Sequence, residues 1–104
     1  MFVVLYRWRI KQSFEQQFIE SWSERTAFWL EKYDSLGSRL HCGDDGIWYS
    51  FAQWKSIGQR EQAFAAETGK ISETQRRFRE AIEEDFPEVR LEIVSDYLLS
   101  PKER

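Results

Sequence analysis

The sequence predicts an α+β fold of order β-α-β-β-α-β: one four-stranded antiparallel sheet with its helices on a single face. Three observations predict it. Residues 2–10, FVVLYRWRI, are β-branched and aromatic and read as a strand. From Phe14 to Tyr33 the apolar residues recur at helical spacing. Two further apolar runs then flank Gly43-Asp44-Asp45-Gly46, a hairpin turn in which Gly46 supplies a positive φ. The 104 residues make one domain, 1–104.

In the first helix, Phe14, Phe18, Ile19, Trp22, Thr26, Trp29, Leu30 and Tyr33 share an arc of roughly 160°. Ser13 reads as its N-cap, with Gln16 in the capping-box position. The helix is expected to stop near Asp34-Ser35. Leu36–Cys42 then reads as a short strand and Ile47–Trp54 as a longer one. Arg60–Thr68 and Glu73–Asp85 read as two helical pieces parted near Gly69. Pro87 prevents continuation, and Val89–Leu99 reads as the last strand. The tail, Ser100–Arg104, is polar. This order is that of a ferredoxin-like sandwich, and right-handed crossovers put the helical segments over one face.

The strand parities leave that face with a counterpart. Phe2, Val4, Tyr6, Trp8 and Ile10 share one side of the first strand, yet Val3 and Leu5 occupy the other. Trp48 and Trp54 oppose Ile47, Tyr49 and Phe51; Val89, Leu91 and Ile93 oppose Val94 and Leu98. A sheet covered on one side should alternate apolar with polar residues. This one is apolar on both, so a homodimer joined through the helix-free face, closing a dimeric barrel, is expected.

Composition narrows the function. A net charge of −3 offers no basic surface for phosphates, so nucleic acid is not an expected partner. The densest basic run, Arg76-Arg77-Phe78-Arg79, leads straight into Glu80, Glu83, Glu84 and Asp85, a solvated helix face. No apolar run approaches the roughly 18 residues of a membrane span, and no leader peptide is visible. The single cysteine, Cys42, suits a reducing compartment, so a cytoplasmic location is expected. Cys42 has no CxxC partner, and Asp44 and Asp45 are turn formers without further oxygen ligands. No metal or cofactor signature is present.

The chemistry then rests on a few side chains. Ser50 and Ala52 lie between Trp48 and Trp54 on one strand face, leaving a hollow suited to a flat aromatic ligand. Equally, Trp22 and Trp29 from the first helix could fill that hollow as plain core. Tyr6 is a candidate hydrogen-bond donor or a core aromatic. Arg25 falls inside the apolar arc, where a guanidinium stabilises an anion or lays its stem on apolar surface with its head in water. A three-residue loop closed by Gly46 puts His41 opposite Tyr49 and Arg39 opposite Phe51, on the helix-free face. A loop of two or four residues would turn both towards Trp48. Gly46 favours the first arrangement and makes His41 an interface or surface residue.

The strand and turn RWRIKQSFEQQF, the strand SLGSRLH, the DDG hairpin and above all Ala52-Gln53-Trp54-Lys55-Ser56 leading into a helix carry a resemblance. Over nearly its whole length the chain resembles the antibiotic biosynthesis monooxygenase family of the dimeric α/β-barrel superfamily. That resemblance implies a homodimer with one pocket per subunit between sheet and helices. It implies either cofactor-free oxygenation of polycyclic phenols to quinones or oxidative haem degradation. Haem-degrading relatives use an Asn on the first strand, a Trp ending the third and a His on the next helix. Here those positions are Tyr6, Trp54 and Phe64, so the axial imidazole is missing and haem degradation is not expected. The resemblance thus implies a cofactor-independent monooxygenase-like protein for a small aromatic or polyketide-type substrate. Trp54 would be the platform, Tyr6 the hydrogen-bond donor and Arg25 the charge stabiliser, with Trp22, Trp48, Ser50, Ala52 and Phe64 around the ligand. The alternative is a non-catalytic, small-ligand-binding or accessory homodimer of the same fold.

Overall fold

The structure, a computed structural model, describes all 104 residues. The central strand is β1 (Phe2–Ile10), paired antiparallel with β3 (Trp48–Trp54) on one side. On its other side run two short strands end to end, β4 (Ile82–Asp85) and β5 (Val89–Glu92). The hairpin partner of β3, β2 (Ser38–Cys42), forms the far edge, and the sheet is open within the chain. The covering layer is α1 (Glu15–Tyr33), α2 (Ile57–Glu67) and α3 (Glu73–Ala81), and a 3₁₀ turn spans Pro101–Glu103. No helix is long and apolar enough to cross a membrane.

Cross-strand register decides which side chains meet the helices. Phe2 lies opposite Trp54, Val4 opposite Ala52, Tyr6 opposite Ser50 and Trp8 opposite Trp48, all on the helix side. Trp8 anchors the core, packed edge-on against Phe18 of α1 at 5.2 Å and Phe78 of α3 at 5.8 Å. Phe18 and Phe78 stack on one another at 5.3 Å, tying α1 to α3 above the sheet. At the opposite end Trp54 meets Phe64 of α2 and Trp29 of α1. The two aromatic clusters leave the middle of the layer uncrowded.

The hairpin adopts the register that Gly46 favours: the Gly43 N–H donates to the Ile47 carbonyl at 2.8 Å, and His41 pairs with Tyr49 and Arg39 with Phe51. Gly46 has φ +80°, and the Asp45 carboxylate clamps the turn by accepting from the Ile47 N–H at 2.9 Å and from the Tyr49 hydroxyl.

Several local expectations are corrected. Ser13 does not cap α1. It takes a left-handed φ of +72°, Phe14 occupies the cap position without a side-chain bond, and the Gln16 amide donates to Glu20 instead. Within the predicted apolar arc, Ile19 and Leu30 are exposed, because only one flank of α1 meets α3 and the sheet. The helix α2 begins earlier than expected, at Ile57, where the Ser56 hydroxyl accepts from the Gln59 N–H at 3.1 Å.

Two further corrections concern the C-terminal segments. The helical segment expected to reach Asp85 ends at Ala81, whose carbonyl accepts from the Lys11 N–H. Ile82–Asp85 is extended and pairs with β1 across a bulge at Arg9/Ile10. After the break at Pro87, the strand expected to run to Leu99 stops at Glu92. Its partner runs out there: Glu92 is already opposite Phe2, and the Ile93 N–H reaches the Met1 carbonyl as the final bond. Beyond it Val94, Tyr97, Leu98 and Leu99 stand exposed. Val89 and Leu91 are exposed too, on the helix-free face that also carries Val3, Leu5 and Phe51.

Candidate active site

Between sheet and helices lies a cavity of about 490 Å³, within the size range of small-ligand pockets. Its floor is Ser50, Ala52 and Trp54 of β3 beside Tyr6 and Trp8 of β1. The two small residues make the hollow, since nothing on β3 rises between the Trp54 indole and the aromatic cluster around Trp8. Trp22, Arg25 and Trp29 of α1 line one wall, Arg60 and Phe64 of α2 another.

The end near Trp54 is closed by aromatics. Trp29 and Phe64 stack at 4.9 Å with 29° between planes, and Trp54, only 2% exposed, packs edge-on to both. Trp29 therefore seals the end of the hollow instead of filling it, and Trp22 borders it without closing it. Trp48, expected on the floor, does not line the cavity. It packs edge-on to Phe18 at 5.7 Å, in the core, and Trp8 stands in its place. Ser50 is buried with its hydroxyl 3.0 Å from that of Ser38, which also donates to the Phe51 carbonyl.

The cavity's polar side centres on an arginine that sequence reasoning passed over. Arg60 Nη2 donates to the Tyr6 hydroxyl oxygen at 2.8 Å and to the Glu88 carboxylate at 3.1 Å, while its guanidinium lies over the Phe64 ring at 4.4 Å. It is 4% exposed, and its Nε is buried without a partner. Burial raises the Tyr6 pKa above the ordinary phenol value, and Arg60 only partly opposes that. Tyr6 is consequently a neutral phenol at physiological pH. With its oxygen accepting from Arg60, its own O–H remains to be donated. For Arg60, burial works against the charge, but Tyr6 and Glu88 more than offset it and the guanidinium is held more firmly protonated.

Arg25 stands differently. Its head lies over the Phe78 ring at 4.3 Å, and no carboxylate pairs with it. Burial first, and repulsion from Arg79 second, lower its pKa to about 10, with Tyr6 and Asp85 opposing. Arg79 itself is matched by Asp85 at 2.8 Å. The structure therefore brings Tyr6, Arg25 and Trp54 to one cavity, but it is Arg60 and not Arg25 that bonds the Tyr6 hydroxyl.

His41 is remote from this site. It stacks on Phe51 at 5.4 Å on the helix-free face, with Nδ1 3.3 Å from the Tyr49 carbonyl. Cys42 is exposed. Arg60 carried a signal in the sequence: it precedes Phe64 by one helical turn and so shares the apolar face of α2, the same criterion that marked Arg25 on α1. Glu88 carried none, because its position follows from the turn after Pro87.

No protein-family model matches this sequence, and no curated protein matches it significantly. Solved structures do. SnoaB, a cofactor-independent oxygenase from Streptomyces nogalater solved as its N63A mutant, superposes with a TM-score of 0.74 at 11% identity, over 92% of this chain and 95% of its own. A monooxygenase from the ActVA-Orf6 gene of Streptomyces coelicolor, solved with nanaomycin D, superposes with a TM-score of 0.72 at 17% identity, covering 95% and 92%. A further antibiotic biosynthesis monooxygenase superposes with a TM-score of 0.67 at 15% identity, covering 91% and 100%. At such identities the likeness speaks of architecture. The chain has the fold of the antibiotic biosynthesis monooxygenases.

Proposed function

We propose that this protein is a cofactor-independent monooxygenase-like enzyme that oxidises a small, electron-rich aromatic or polyketide-type substrate in the cavity above Trp54. One observation carries the reading: an open, aromatic-walled hollow contains a neutral phenol, Tyr6, whose oxygen is held by Arg60 so that its proton is free for a ligand. A phenolic substrate lying on Trp54 would place its oxygen against the Tyr6 hydroxyl. Hydrogen bonding there, with the positive field of Arg25 and Arg60, favours the substrate's anion. An electron-rich anion of this kind can itself reduce O₂. For an activated methylene the balance is complete: two C–H bonds are lost, one oxygen atom becomes the carbonyl, and the other leaves as water. Trp54 orients the ring, and Trp22, Ser50, Ala52 and Phe64 shape the space around it.

The non-catalytic reading has one observation in its favour. Both carboxylates at the cavity rim are engaged by arginines, Asp85 by Arg79 and Glu88 by Arg60, so neither is a free base. Oxygen uptake with a panel of anthrone-type phenols separates the two readings. Turnover that falls by roughly tenfold or more in Tyr6→Phe supports the enzyme, a typical loss for a hydrogen bond made to developing charge. No uptake above the spontaneous rate across the panel leaves the ligand-binding reading.

The same proposal includes a homodimer through the helix-free face. Its support is that Leu5, Phe51, Val89 and Leu91 on that face are left without a covering helix, Val89 and Leu91 being exposed.

A further inference from the structure

The charges around the cavity do not balance. Three guanidinium groups line it, those of Arg25, Arg60 and Arg79, against two carboxylates, Asp85 and Glu88. Both carboxylates are engaged, Asp85 by Arg79 at 2.8 Å and Glu88 by Arg60 at 3.1 Å, with Arg90 from outside the cavity also 3.5 Å from Glu88. The remaining charge is that of Arg25. Phe78 lies beneath it at 4.3 Å, Trp22, Trp29 and Trp8 share the lining, and the nearest acid, Asp85, is already taken by Arg79. A second donor is also unused, because the Nε of the almost fully buried Arg60 has no partner.

A purely structural role explains this poorly. Position 25 lies in the apolar arc of α1, where Met or Leu would pack against Phe78 without any charge to desolvate. An arginine half-buried against an aromatic face without a carboxylate partner costs stability, as groups retained for ligands do. Its guanidinium, stacked on an aromatic face, keeps its in-plane N–H fork for a second partner, and that fork matches the two oxygens of a carboxylate. A neutral polycycle would leave the cation uncompensated after displacing the water that solvates it. An anionic one would neutralise it.

We infer that the cavity takes a flat aromatic carboxylate, its ring system over Trp54 and its acid group paired with Arg25. The inference rests on the reading of this cavity as a ligand site and adds the ligand's charge and the residue that selects it. In a reacting substrate the carboxylate would anchor the molecule at Arg25, leaving Tyr6 and Arg60 for the oxygen that develops charge.

Calorimetric titration with 2-naphthoate and its neutral isostere 2-naphthamide tests this on the wild-type protein and three variants. Arg25→Met and Arg25→Gln remove the proposed partner. Arg76→Met removes the same unit of charge from an exposed site on α3. Wild type and Arg76→Met should bind naphthoate roughly 10- to 100-fold more tightly than naphthamide, the range expected of a charge-assisted pair shielded from water. Both Arg25 variants should bind the two ligands equally, with melting temperatures at or above that of wild type. Equal affinities in wild type, or a preference that survives loss of Arg25, would overturn the inference while leaving the cavity a ligand site. Failure of wild type to bind either compound below millimolar concentration would overturn both the inference and the reading on which it rests.

Discussion

Arg60 and Tyr6, 54 residues apart, meet at 2.8 Å inside the cavity, and each determines the other's state. The guanidinium fills the phenol oxygen's acceptor role and leaves the hydroxyl proton for a ligand. The phenol and Glu88 in turn keep the buried guanidinium charged. A double-mutant cycle of Tyr6→Phe and Arg60→Met, followed by urea unfolding, should give a coupling of about 1–2 kcal/mol, as expected for a hydrogen bond from a charged donor in a shielded site. Additive single effects would mean the contact contributes nothing.

The alkaline limb of stability should carry the signature of Tyr6. Its folded pKa lies above the ordinary 10.0, so the folded protein keeps a proton that the unfolded chain releases. The contribution is complete below about pH 10 and is lost as pH rises through the folded value. Comparing unfolding midpoints between pH 9 and 11.5, wild type should lose stability relative to Tyr6→Phe only above about pH 10. A constant difference across the range would contradict the raised pKa.

Filling the hollow should separate the fold from the site. In Ala52→Leu the added side chain enters space that is already open beside Trp54, so the melting temperature should hold within a few degrees or rise. Aromatic ligand binding measured by calorimetry should weaken roughly tenfold or more, since the ring must compete for the floor. By contrast Trp54→Ala removes a buried indole and should cost about 3–5 kcal/mol. Unchanged binding in Ala52→Leu would place the ligand elsewhere.

Phe51 points to the helix-free face, opposite Arg39 and Leu5 across its two neighbouring strands. If that face joins two copies, Phe51→Arg should shift sedimentation from dimer to monomer at micromolar concentration, by placing unpaired charge in an apolar interface. A wild-type protein that already sediments as a single subunit would remove the dimer.

Much of this architecture follows from local chemistry alone. Period-two patterning in FVVLYRWRI and the helical recurrence from Phe14 to Tyr33 specify β1 and α1, because burial of one face leaves few alternatives. Gly46, able to take φ +80°, selects the hairpin register and so assigns His41 to the face away from the cavity. Local signals failed where the decision came from elsewhere in the chain. Ile82–Asp85 reads as helix, but the upper edge of β1 offers unpaired backbone groups and the segment extends to meet them. Val89–Leu99 reads as strand, but only Val89–Glu92 has a partner, since β1 ends at Phe2.

The amino-acid sequence by itself determined the element order up to the second hairpin strand, a preference for one hairpin register, the placing of small residues beside Trp54 on one strand face, and Arg25 on an apolar helix face. Tertiary structure alone decided that Trp29 seals the hollow instead of occupying it, that Trp48 belongs to the core, and that Arg60 rather than Arg25 holds Tyr6. The reason is physical. Side-chain periodicity is a property of neighbours along the chain, whereas an empty volume and the pairing of buried charges depend on how three helices come to rest on one sheet.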